Sequence, residues 1–400
     1  MLEKKYIELL VDRCINFDKS KSVLISYKKD NKNFIDKLVD YIHQKGVQDI
    51  YLDEEDVYLT RDKLINSTIE EIENDSYFDK SIWDEYAKKD AAFLTFDSEY
   101  PHFFDDVDEA KISAAGNKKR KTRPLFREKE TSYQIPWCIA ALPNKIWADD
   151  MFPNEKDSYQ MLEDVIYKMC MVDTPNPIES WNEYLNNVKL RSKKLNSMKI
   201  KQLHYSNNLG TDFTISMPED FLWKSTADDG DNMLVNMPSY EIFSSPDYRT
   251  ANGIVYSSRP LLYNGGIIDE FYIEFKDGKA INYDARTGKE LLKGIIETDA
   301  QAAYLGEVAL VNNDSPISNT GLVFGTTLFD ENAACHIALG DAFPDTIPNF
   351  QNYTREELMK LGLNHSVTHV DFMIGTSDLN ISAVCENGEV QIFKDGNFVI

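Results

Sequence analysis

The sequence holds six histidines, and three of them, His336, His365 and His369, fall within 34 residues of one another. Around them stand Glu241 in PSYEIFSSPD, Glu307 in LGEVALV, Glu331 in DENAACH and Asp371 in HVDFMIG. AYLGEVALV and VTHVDFMIG are apolar enough to bury both faces as central strands. A carboxylate buried there without a partner costs several kcal/mol, so such groups are normally paired, protonated or bound to a cation. His369 and Asp371 are two apart on an expected strand and so share a face. Glu331 and His336, five apart, converge if Glu331 lies just before or at the start of a helix. Carboxylates mixed with imidazoles suit zinc, cobalt or manganese better than calcium or a structural thiolate site.

Each residue also has an ordinary reading. Glu307 alone is a salt-bridged strand residue, His336 alone a hydrogen-bonded core histidine, and Asp371 alone a turn cap. It is their clustering that points to a metal. His365 is spaced from His369 like a second ligand on one helical face, but GLNHSVTHVD reads as a loop entering a strand, and His365 is left out. TADDGDN (226–232) resembles a fragment of a calcium loop without its later glutamate, and reads as a polar turn.

The elements that must position these groups divide in two. SVLISY (22–27), NFIDKLVDYIHQKG and DIYL (49–52) form a strand–helix–strand unit, with Phe34, Leu38, Tyr41 and Ile42 on one helical face and Gly46 placed to end it. AAFLTF (91–96) and YQIPWCIAAL (133–142) add strands, and helical patterns fill 159–171 and 178–195. The expectation for residues 1–196 is an α/β domain with a mainly parallel sheet. No GxGxxG follows the first strand, which argues against a dinucleotide. The basic run GNKKRKTRPLFREKE (116–130) reads as a solvated loop or helix end, with contact to acidic surface as the second reading. From about 197 to 400 strands predominate, in an α+β, strand-rich domain expected to bind the metal. Hairpin signals stand at DG (277–278) and TG (287–288).

Composition sets the wider bounds. A length of 400 residues is more than one core usually organises. The net charge of −24 disfavours nucleic acid as a partner. No window is apolar enough to span a membrane, and the N-terminus lacks the pattern of a signal peptide. Five scattered cysteines without a CxxC pair fit a reducing compartment, so a cytoplasmic protein is expected.

Several blocks in order resemble the metalloaminopeptidases typified by aminopeptidase T and aminopeptidase S: GTDFTI (210–215), NMPSYEIFSSPDYRTANGIV (236–255), LGEVALV (305–311), SPIS (315–318), TLFDENAACHIALG (327–340) and GLNHSVTHVDFMIG (362–375). The first half agrees in pattern and length. The resemblance implies a two-metal enzyme that releases N-terminal amino acids from short peptides with a free N-terminus, working as a homodimer with enclosed active sites. Carried over position by position, it implies Glu241, Glu307, Glu331, His336, His369 and Asp371 as ligands of two divalent ions. Glu241 is then the proton shuttle and Glu307 the bridging carboxylate. One position departs: the family tyrosine in HIALGxxY is Phe343 here. That tyrosine is thought to donate to the oxyanion, so a weakly active or non-catalytic metal- or peptide-binding relative is the alternative.

Overall fold

The run SVLISYK forms the strand Ser22–Lys28, whose Val23, Leu24 and Ile25 are wholly buried, as a central parallel strand covered on both faces must be. The structure is a computed structural model describing residues 1–400 except 16–20, 132, 227–232 and 264–265. Residues 227–232 of TADDGDN therefore lie outside the described residues. The chain divides into two compact units, 1–182 with 229–238, and 183–228 with 239–400.

In the first unit Ser22–Lys28 lies between Asp49–Glu55 and Ala92–Asp97, followed by Trp137–Ala141 and Asn236–Met237, all parallel. This is the expected α/β arrangement. The helix Lys32–Gln44 buries Phe34, Ile35, Leu38 and Ile42. Tyr41 sits at the margin of that stripe and donates its hydroxyl hydrogen bond to Asp12 at 2.6 Å instead. The basic run is helical, split between Glu109–Lys121 and Pro124–Thr131. It is not simply solvated: Lys119 pairs with Glu55 at 3.0 Å, and the Arg123 guanidinium lies 4.3 Å from the Trp83 ring centre.

The second unit is strand-rich. A nine-stranded antiparallel sheet packs against a five-stranded one, with Phe271 and Ile273 of the first and Val308, Ile337 and Phe372 of the second in one core. The DG signal does join Gly266–Lys276 to Lys279–Thr287. The TG signal does not make a hairpin. Gly288, at φ 76°, begins the helix Lys289–Ile296, where a Cβ would meet the Ile267 carbonyl oxygen at 2.3 Å. The five-stranded sheet runs His369–Met373, His336–Gly340, Leu305–Leu310, Ile242–Ser244, Lys224–Ser225. Leu305–Leu310 is internal and wholly buried. VTHVDFMIG, expected to be central, forms the edge strand instead. Part of that edge is covered where Ser258 N–H donates to the Met373 carbonyl at 2.8 Å.

Candidate metal centre

Strand alternation builds this site. In Leu305–Leu310, Val308 and Leu310 point into the core. So do Ile337 and Leu339 of the next strand, and Val370 and Phe372 of the edge strand. With a period of two, Glu307, His336, His369 and Asp371 are left on the opposite face. Glu307, Ala338 and Asp371 are direct neighbours across three strands. Ala338 leaves room between the two carboxylates.

One irregularity aims Glu307. The pairing shifts between Leu305 and Glu307, so Gly306 is the extra residue of a bulge that lets Leu305 and Val308 both face the core. A Cβ on Gly306 would stand 2.1 Å from the Asp341 carbonyl oxygen. That same oxygen accepts a hydrogen bond from His369 Nδ1 at 2.7 Å. Gly306 thus permits the approach that orients His369.

The donors converge as two overlapping groups, Glu241–Glu307–His336 and Glu307–His369–Asp371, each with its ligand atoms within 4.8 Å of one another. His336 Nε2 lies 3.2 Å from Glu241 and 4.0 Å from Glu307 Oε1. His369 Nε2 lies 3.2 Å from Glu307 Oε2 and 3.3 Å from Asp371. Glu307 therefore turns one oxygen to each histidine. His336 Nδ1 faces the Ala334 carbonyl at 3.1 Å, as His369 Nδ1 faces Asp341. Each carbonyl holds the Nδ1 proton, so Nε2 is the atom each ring offers to the cluster.

The electrostatics are those of crowded, buried charge. Burial lifts the Glu307 carboxyl to about 7 against the pull of His369. Burial, with Glu241 and Asp371 nearby, pushes Glu331 well above the carboxylate range. Burial pushes Asp371 up, but His369, with His336 and Glu307, together hold it down at about 2. Burial would lower both imidazoles, but the carboxylates around them raise both. Glu331 stands beside this set and accepts from Asn332 Nδ2 at 3.3 Å.

Divalent ions fit this donor set. It offers carboxylate oxygens and imidazole nitrogens only, and the buried Asp371 Oδ1 has, among the described residues, no well-formed hydrogen bond beside its 3.3 Å contact with His369 Nε2. Cys335, next to His336, is turned away, its thiol donating to the Val311 carbonyl at 3.3 Å. His365 is not among the gathered donors; its Nδ1 meets the Asp341 carboxylate at 2.9 Å. Glu331 is in neither donor group, and it stands at the end of a helix rather than its start: it follows Thr327–Asp330 in a 3-10 turn, and His336 opens a strand. Phe343 lies beyond that strand, its ring between Phe243 at 5.2 Å and His369 at 4.9 Å.

Sequence reasoning missed three residues. Besides Gly306 and Asp341, the wholly buried Asn332 accepts from Tyr240 N–H at 2.6 Å, tying the chain before Glu241 to Glu331. A polar residue directly before the apolar stretch AACHIALG was the available signal for Asn332.

A profile of the family described as thermophilic metalloprotease (M29) matches residues 2–398. The chain is 33% identical to aminopeptidase AmpS of Bacillus subtilis, over 98% of this chain and 97% of that one. It is 32% identical to aminopeptidase PepS of Streptococcus thermophilus, over 99% and 98%. The solved structure of AmpT from Thermus thermophilus superposes with a TM-score of 0.91 at 27% identity, covering 100% of this chain and 99% of that one.

Proposed function

This chain belongs to the M29 family of thermophilic metalloproteases, and we propose that it is a metal-dependent aminopeptidase releasing N-terminal residues from short peptides. The observation that carries the two-metal form of this reading is Glu307, whose oxygens serve two donor groups at once. In this reading Glu241, Glu307, Glu331, His336, His369 and Asp371 hold two divalent ions, zinc, cobalt or manganese, with Glu307 shared. Bound there, the ions supply acidification of a water and polarisation of the scissile carbonyl.

The chain's own groups do the rest. Glu241 is partly accessible and stands 3.2 Å from His336 Nε2, beside the donor set, which suits it to take the proton of the attacking water and pass it to the leaving amine. Asp341 and Ala334 orient the two imidazoles through their carbonyls. Phe343 lines the site with a ring that has no donor to offer a developing oxyanion. That ring favours a second reading, a weakly active or non-catalytic metal- or peptide-binding relative. A homodimer in the cytoplasm remains the expected setting.

The test is release of free amino acids from unblocked and N-acetylated peptides by protein stripped with chelator and reloaded with cobalt or zinc. Cleavage restored by metal and confined to unblocked peptides supports the aminopeptidase. No cleavage despite confirmed metal uptake overturns it in favour of the second reading.

A further inference from the structure

Tyr240 and Ile242, the residues on either side of Glu241, also line a cavity of about 40 Å3 within the second unit. Tyr184, Arg191, Asn312 and Phe398 complete the part of its wall that matters here. The Arg191 guanidinium lies over the Phe398 ring, 4.6 Å from its centre. Among the described residues it has no hydrogen bond and no ion pair. Asp314 also borders the cavity, but it is exposed, accepts from Asn319 at 2.8 Å and forms no ion pair with Arg191. Asn312 Oδ1 accepts from Phe398 N–H at 2.9 Å, which leaves its amide hydrogens without a partner among the described residues.

A partly desolvated guanidinium with its planar fork of donors unused is unfavourable unless an acceptor reaches it. The aromatic ring offsets part of that cost but accepts no N–H in the guanidinium plane. A cavity of this size admits a few waters or one small anion. We propose that it binds a small monovalent anion, of chloride, formate or bicarbonate size, held by the Arg191 guanidinium and the Asn312 amide. The bound anion braces the segment that carries Glu241. This site does not depend on the aminopeptidase reading, because binding is measured without turnover.

The experiment is thermal unfolding of the full chain at constant ionic strength, with chloride or formate replacing gluconate, which is too large for the cavity. A saturable rise in Tm of a few degrees is expected, and Arg191→Gln abolishes it. No anion-specific rise in the wild-type protein, or an equal rise in Arg191→Gln, overturns the proposal. Should the variant fail to fold, crystals of the wild type in bromide decide: an anomalous peak beside Arg191 supports the site, and its absence overturns it.

Discussion

The ring of Phe343 packs against the imidazole of His369 with centroids 4.9 Å apart and planes tilted by 60°. It stands where the resemblance to the metalloaminopeptidases implies a tyrosine. Phe343→Tyr adds one hydroxyl to a partly exposed ring and is expected to raise kcat by about a hundredfold or more, the effect of one oxyanion donor. Steady-state kinetics on a reloaded enzyme checks this. An unchanged kcat means that the missing hydroxyl is not limiting.

Glu307 serves both donor groups, so Glu307→Gln is expected to cost metal at both. Elemental analysis after dialysis should show less bound metal than in the wild type. Turnover should fall by about two orders of magnitude or more. The metal-free variant should be no less stable than metal-free wild type, because an amide avoids burying a charge. Full metal content in the variant rules out the shared role.

Gly306→Ala places a methyl 2.1 Å from the Asp341 carbonyl oxygen and 2.6 Å from the Gly340 carbonyl oxygen, both backbone atoms. The bulge or the Asp341 loop must then shift, at a cost of about 2–4 kcal/mol. Since that carbonyl orients His369, metal affinity is expected to fall as well. Denaturant unfolding of the metal-free protein and chelator competition separate the two effects.

Asp97, at the end of a parallel strand in the first unit, has its carboxyl lifted to about 6 by burial, with Lys28 pulling the other way. A carboxyl with a raised folded value binds its proton more tightly folded than unfolded. Its contribution therefore favours folding below about pH 4 and is lost as pH rises to about 6. Asp97→Asn should gain on the order of 2 kcal/mol above pH 7 and nothing below pH 4. Urea unfolding of both proteins across that range checks the sign, and a gain that does not depend on pH would count against it.

The parallel unit was legible because its periods are clean: SVLISY, NFIDKLVDYIHQKG and DIYL repeat at strand, helix and strand spacing. The turn signals were less decisive. DG and TG look alike in sequence, yet one closes a hairpin and the other starts a helix, since KELLKGII buries Leu292, Ile295 and Ile296. Edge position was also hidden, because VTHVDFMIG is as apolar as a central strand and only the sheet order assigns it.

By itself the sequence determined which residues have ligand chemistry and, through a period of two, that His369 and Asp371 share a face. It also placed Glu307 on a strand buried along its whole length. Only the tertiary structure decided that Glu241, Glu307 and His336 meet, since they come from two strands and the residue just before a third, separated in the chain. The register between strands and the bulge at Gly306 bring them within reach, and neither is written in any local pattern. The same holds for Asp341 and Asn332, whose roles are backbone and amide contacts across long separations. Local periodicity fixes a face; pairing and packing fix which faces meet.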